Sequence, residues 1–475
     1  MNLLTQPSSR HVATALRSSL LASMLAASSL APLVALAENG ERPESQQEYW
    51  AQVDEHDWDA AAEAARKLVD TARENVAKRP YALAEALSLL GNAELGKADY
   101  AAAEAAFGEA LQIVEQHAGS TSVRLLDPLR GLGYTMARAG RHAEAVPYLD
   151  RALLIAHRNH GLFDIGQQGI LRQLAASLTR IGQPFEAERH MKYLLRVGER
   201  TYGRRDPRMA PLMCIVGDWY AELGSFSNAR EQYRAAIDLV ERRLGKSDPA
   251  LVEPLRALAR SYTLELFYST LRRKTDRAQV PTDADGVSND LQIMNPRYIG
   301  SDGEKALERA LKILDEQPQA SGHALADTLI QLGDWFQIKG QPDQALALYR
   351  RAASSTSPQT DAEPAARSPV ESLSFPTRVY YPVPLLATRN LALPAEQVEE
   401  HYVQVEFTVT DAGEVQDARV VDENGTARQV SETLQAIRNS RFRPRFVNGE
   451  PVATTGMTSR EVFRVRKSGD AESDS

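Results

Sequence analysis

The sequence predicts a mainly α-helical protein, a solenoid of paired helices followed by a small α+β domain, and three observations carry that expectation. Small residues recur with a period of 42: Gly91, Gly133, Ala175, Gly217 and Ala259 form one ladder, and Gly119, Gly161, Gly203 and Gly245 form a second. Two ladders with one spacing describe stacked supersecondary units. Further on, Val403, Val405, Phe407 and Val409 alternate with Gln404, Glu406, Thr408 and Thr410, so the hydrophobic period has changed from 3.6 to 2. Between the two patterns, residues 354–375 are rich in Ser, Pro and Ala, the composition of a linker.

The N-terminus has a different character. Arg10 and Arg17 precede an uncharged stretch from Ser18 to Leu36, which ends in Ala35-Leu36-Ala37 before Glu38. A basic start, an apolar centre and small residues before a cleavage point describe a signal peptide over 1–37, cut between Ala37 and Glu38. The rival reading is a retained membrane anchor, against which stand Ser23, Ser28, Ser29 and Pro32. Residues 38–78, with Trp50 and Trp58, are expected to form a capping helix pair.

Residues 79–353 hold the repeats, each predicted as two amphipathic helices, A and B. In the second unit Leu129, Leu132, Gly133 and Met136 mark one face of helix A, and Ala145, Leu149 and Ala152 mark helix B. The fourth unit places Met213, Val216, Gly217 and Tyr220, then Ala229, Tyr233 and Ala236, at the same positions. The sixth places Leu329, Leu332, Gly333 and Phe336, then Ala345, Tyr349 and Ala352. Small residues beside large ones let paired helices approach closely. The fifth unit carries an insertion at about 271–302, because Ala259 and Gly333 are 74 rather than 42 apart.

The run Leu332-Gly333-Asp334-Trp335-Phe336, continued by Ala345, Tyr349 and Ala352, resembles the tetratricopeptide repeat (TPR). The period of 42, and the loops Tyr202-Gly203-Arg204-Arg205-Asp206-Pro207 and Leu244-Gly245-Lys246-Ser247-Asp248-Pro249, resemble its kinesin-light-chain variant. That resemblance implies a concave binding surface lined by helix A. Arg130, Arg172 and Arg256 share one place on that helix, Cys214 interrupting the ladder, and Tyr134, Arg138, Arg180 and Arg260 lie one or two turns further on. Such a face would suit an acidic extended segment.

In residues 376–467 the order is β-β-α-β, a helix on an antiparallel sheet, followed by a tail over 468–475. Asp411-Ala412-Gly413 turns the first strand into the second, Thr426 and Gln429 form a capping-box pair, and a last strand runs from Thr455 to Val465. Tyr381-Pro382, Arg441-Phe442-Arg443-Pro444 and Asn448-Gly449-Glu450-Pro451-Val452 resemble the C-terminal domain of the TonB family. The resemblance implies a periplasmic adaptor that adds an extended segment of outer-membrane receptors to its sheet. The candidate edge is the last strand, through Thr455, Met457, Ser459, Glu461, Phe463 and Val465.

Composition excludes several classes. With 63 acidic against 55 basic residues and a formal charge of −8, the chain lacks the basic surface that nucleic acid needs. A single cysteine, Cys214, forms no metal-type spacing and no intramolecular disulfide. Gly245-Lys246-Ser247 lacks the first glycine of a phosphate loop, because Val240 stands there. No catalytic, metal or cofactor constellation emerges. The expected function is a periplasmic, non-catalytic scaffold that binds proteins or extended peptides, without tight membrane insertion once the signal peptide is removed. The alternative is a TonB-like energy transducer of outer-membrane transport, anchored in the inner membrane.

Overall fold

The computed structural model describes residues 44–276, 301–317, 322–355, 372–382, 384 and 398–466. Segment 1–37, the cleavage pair Ala37 and Glu38, most of the 271–302 insertion, most of the linker and the 468–475 tail lie outside the described residues. The chain divides into two compact units whose boundary falls between Trp219 and Tyr220.

The first unit begins with α1 (Gln47–Asp54) and α2 (Trp58–Arg73), which share a core of Tyr49, Trp50, Val53, Ala61 and Ala65 with Leu89 and Ala93 of the next helix. That helix is α3 (Pro80–Gly96), paired with α4 (Tyr100–Ala118). There follow α5 (Leu126–Arg138) with α6 (His142–His160), and α7 (Gln168–Arg180) with α8 (Pro184–Tyr202). In these last two pairs helix A has 13 residues and helix B 19, which with two short turns accounts for the 42-residue period. The next helix, α9 (Met209–Glu222), spans the boundary.

Both ladders of small residues now have a physical cause. Gly119, Gly161, Gly203 and Gly245 end the 19-residue helices at φ values of 79°, 90°, 93° and 107°, a region costly to a residue with a Cβ. The other ladder marks close approach: a Cβ on Gly133 would lie 2.5 Å from the Leu149 side chain, and one on Gly333 2.4 Å from the Tyr349 ring.

The second unit contains α10 (Phe226–Leu244), α11 (Val252–Asp276), α12 (Ser301–Asp315), α13 (Gly322–Lys339) and α14 (Pro342–Ser355). Helix α11 enters after Asp248, whose carboxylate accepts the Ala250 amide at 2.9 Å, and it runs six residues into the expected insertion. Ala259, Leu307, Leu332 and Trp335 form one buried cluster between these helices.

The same unit holds the C-terminal domain. Strand β2 (Val398–Val409) is central, flanked by β3 (Val415–Glu423) and β7 (Thr454–Arg466), antiparallel on both sides. Helix α15 (Ala427–Arg438) carries the expected capping box: the Gln429 amide reaches Thr426 Oγ1 at 3.3 Å, and the Thr426 amide reaches Gln429 Oε1 at 2.7 Å. Val403, Val405, Phe407, Val409, Ile437, Phe442 and Phe463 fill the core.

The β-β-α-β frame therefore stands, with four short strands in addition. They are β1 (Thr377–Tyr380) paired with β4 (Arg441–Arg443), and β5 (Arg445–Val447) paired with β6 (Glu450–Val452). Three or four residues are too few for an alternating pattern to declare itself.

Candidate functional site

In the first unit, α5 and α7 bring Arg130, Tyr134 and Arg172 together. Tyr134 is 8% exposed. Burial raises its pKa, while Arg130 and Arg172 pull it down, so both guanidinium groups lie within electrostatic reach of one phenol. Arg130 has only a distant carboxylate, Asp127 at 3.8 Å. Among the described residues Arg138, Arg172 and Arg180 have no ion pair, and Arg138 and Arg180 are exposed. Arg180 faces His142, whose pKa is lowered by burial first and by that charge second.

The second unit treats the same helical position differently. Arg256 pairs with Asp327 at 3.1 Å and with Glu253 at 3.4 Å, and Arg260 approaches Glu253 at 3.7 Å. The cause is legible in the repeat register. Asp327 stands on α13 where Gly169 stands on α7, so the helix A following that of Arg130 offers no carboxylate while the helix A following that of Arg256 does. Cys214, at the interrupted place, is buried.

Strand β7 lies at the edge of its sheet, bonded among the described strands only to β2. Its odd-numbered side chains face inward along most of its length. Phe463 is in the core, Met457 packs against it, Ser459 Oγ accepts from Arg378 at 3.1 Å, and Glu461 accepts from the Tyr381 hydroxyl. Thr455 is exposed and Val465 half-buried. On the other face, Arg460 lies 3.7 Å above the Tyr402 ring, Arg464 pairs with Glu400 at 3.3 Å, and Val462 is exposed. An edge-paired segment would thus meet β7 through its backbone, with Arg460, Val462 and Arg464 as the side chains within its reach. Arg378, with Tyr381 of the Tyr-Pro pair, closes over the inward face, and burial lowers its pKa.

One cluster escaped sequence reasoning. Arg443, the last residue of β4, meets Asp334 of α13 through two bonds of 3.1 Å, Nε to Oδ1 and Nη2 to Oδ2. Tyr349 of α14 donates its hydroxyl to Asp334 Oδ1 at 2.8 Å, and Arg443 Nη1 also reaches the Ser372 hydroxyl at 3.1 Å. The Arg443 and Asp334 side chains are 9% and 16% exposed. Burial is the largest influence on the Arg443 pKa and would depress it, yet Asp334, with Tyr349 and Asp327, outweighs it and the net shift is upward. Tyr349 is pushed well above its ordinary value, by burial first and the Asp334 carboxylate second. Around this pair, Gln337 donates to the Ala412 carbonyl at 2.8 Å, Arg350 bonds Glu450 at 2.9 Å, and Phe446 and Leu373 join Ile330 and Tyr349 in one apolar cluster. Asp334 by itself gave no signal, because Asp218 holds the same register in the fourth unit, where the others carry Tyr134, Ala176 and Arg260; what differs is that Asp334 is flanked by Ile330 and Ile338.

These features define a helical-repeat protein with a small C-terminal α+β domain. More particularly, residues 82–157 and 167–242 match the tetratricopeptide repeat, and residues 395–464 match the Gram-negative bacterial TonB protein C-terminal domain. The chain thus joins TPR repeats to a TonB-type C-terminal domain, as the motifs led one to expect. Both are non-catalytic protein-interaction domains, and the second points to association with the cell envelope. Among solved structures, BtubC from P. vanneervenii is similar at 18% identity, over 65% of this chain and 97% of that one, with a TM-score of 0.33. A kinesin light chain repeat protein from Podosopora anserina is similar at 16% identity, over 48% and 93%, with a TM-score of 0.34. A Rap protein complexed with competence and sporulation factor is similar at 16% identity, over 73% and 92%, with a TM-score of 0.35. No curated protein sequence matches significantly. No helix among the described residues is long and apolar enough to cross a membrane.

Proposed function

We propose that this protein is an exported adaptor of the Gram-negative periplasm, holding one partner on the helix A face of its repeats and a second along β7. The observation that carries this reading is the pairing of TPR repeats with a TonB-type domain in which β7 lies at a sheet edge. On the first face the recognition element is Arg130–Tyr134–Arg172, with Arg138 and Arg180 beside it. Two under-compensated guanidinium groups flanking a phenol suit a carboxylate-bearing extended segment. Arg256 and Arg260, already paired with Asp327 and Glu253, contribute less. Along β7, an extended segment, that of an outer-membrane receptor among them, adds to the sheet through its backbone.

The deciding experiment replaces Arg130 and Arg172 together by Glu and measures capture of partners from envelope extract. Capture is expected to fall at least about tenfold, the effect of one charge-assisted contact worth about 1.4 kcal/mol. Equal capture by variant and wild type at unchanged helicity would dismiss the arginine face. N-terminal sequencing of the exported protein tests the periplasmic part: a chain beginning at Glu38 supports it, and an intact, membrane-bound residue 1–37 segment supports the anchored transducer instead.

A further inference from the structure

In five successive helices A, from α5 to α13, one register reads Tyr134, Ala176, Asp218, Arg260 and Asp334, following the spacing of 42 until the insertion lengthens it to 74. The turn before it reads Arg130, Arg172, Cys214, Arg256 and Ile330, and the turn after it Arg138, Arg180, Glu222, Leu264 and Ile338. In the last repeat this face has therefore exchanged its flanking arginines for two isoleucines around one acid. The exchange matches what sits there. Arg443 meets Asp334, Ile330 packs in one cluster with Leu373 and Phe446, and both isoleucines are buried, at 6% and 3% exposure.

We infer that the C-terminal domain is a built-in ligand of the array, seated through Arg443 on the ligand-binding register of the last repeat and closing that repeat to other partners. The inference rests on reading the helix A face as the ligand-binding face. Its chemistry is the reverse of the upstream site: there the array supplies cations to an incoming acid, here it supplies an acid to its own cation. Gln337 donating to the Ala412 carbonyl and Arg350 bonding Glu450 hold the domain at two further points, so the contact extends beyond one ion pair. The domain keeps a core of its own, built from β2, β7 and α15, and that core uses neither Asp334 nor Ile330. A partner of the array must then bind upstream of this repeat or displace the domain.

The test is carbodiimide-driven amidation of carboxylates in the full chain, read residue by residue by mass spectrometry, together with amide hydrogen exchange. In the wild type Asp334 should react several-fold more slowly than Asp343, an exposed carboxylate at the start of α14. Arg443→Met should raise Asp334 labelling several-fold while the amides of β2 stay protected. The complementary variant Asp334→Asn leaves the domain's own sequence intact and should speed exchange at Phe442 and Arg443 in β4, again without change in β2. If Arg443→Met unfolds the domain, as loss of β2 protection would show, the Asp334→Asn result decides. Asp334 labelling as fast as Asp343 in the wild type, or β4 exchange unchanged in Asp334→Asn, overturns the inference. Neither readout involves a partner, so failure here is distinct from failure of the Arg130 and Arg172 capture experiment.

Discussion

The second and third repeats and the last repeat use one helical scaffold to opposite electrostatic ends. In the former, Arg130 and Arg172 flank a buried phenol with little carboxylate nearby; in the latter, Asp334 is bound by Tyr349 and Arg443, with a buried isoleucine one turn before it and another one turn after. The backbone register is common to both, so the difference lies in which side chains occupy it. Repetition fixes where a side chain points, and substitution within the repeat decides whether that place meets solvent, a neighbour or another domain.

The strongest way to break this comparison is at its most buried charge. Arg443→Ala should destabilise the second unit by about 3–5 kcal/mol, because it strands the Asp334 carboxylate without its cation. Urea unfolding monitored through Trp335, which is buried beside this helix pair, measures it. Arg172→Ala is expected to change stability by less than about 0.5 kcal/mol, the ordinary range for a surface position without an ion pair. Comparable losses for the two variants would erase the distinction drawn here.

A second pair of variants probes the shared scaffold. Gly133→Ala and Gly333→Ala should each cost about 1–3 kcal/mol through overpacking. The loss should be greater at Gly333, because the Tyr349 ring, tied by its hydroxyl to Asp334, yields less readily than the Leu149 side chain. Thermal melts of both proteins provide the ranking, and a larger effect at Gly133 would contradict it.

Smaller effects are expected from local contacts. Thr426→Ala removes the capping box of α15 and should cost about 1 kcal/mol, read in the same melts. The pH dependence should distinguish the first unit. Because burial and then Arg180 depress the His142 pKa in the folded state, the stability tied to its neutral form is present above about 6.5, its ordinary value. It is lost as pH falls below that value towards the folded pKa. His142→Gln should flatten the stability profile between pH 7 and 5; an unchanged profile would remove His142 as its source.

The sequence was most legible where one cause repeats. The glycines at 119, 161, 203 and 245 each end a helix in the same left-handed conformation, so four positions carry one message. The alternation from Val403 to Val409 likewise announced the central strand, because every second side chain enters one core. The short strands at 441–443 and 445–447 were hidden by their length. The pairing of Asp334 with Arg443 was hidden for a different reason: it joins residues 109 apart, and no periodicity links a helix to a strand in another domain. The arginine ladder was visible as a pattern, yet only the positions of Asp327 and Glu253 distinguish the compensated arginines from the others.

The separation of Asp334 from Arg443 also has a consequence for biosynthesis. A ribosome adds about 5–20 residues each second, so the carboxylate is made roughly 5–20 s before the guanidinium that completes its surroundings. Over that interval the last hairpin is a nascent element with an uncompensated acid among apolar side chains. A chain released before residue 443 never leaves that condition. Translation through Arg443 is thus part of the maturation of a repeat that, by sequence alone, looks finished at α14.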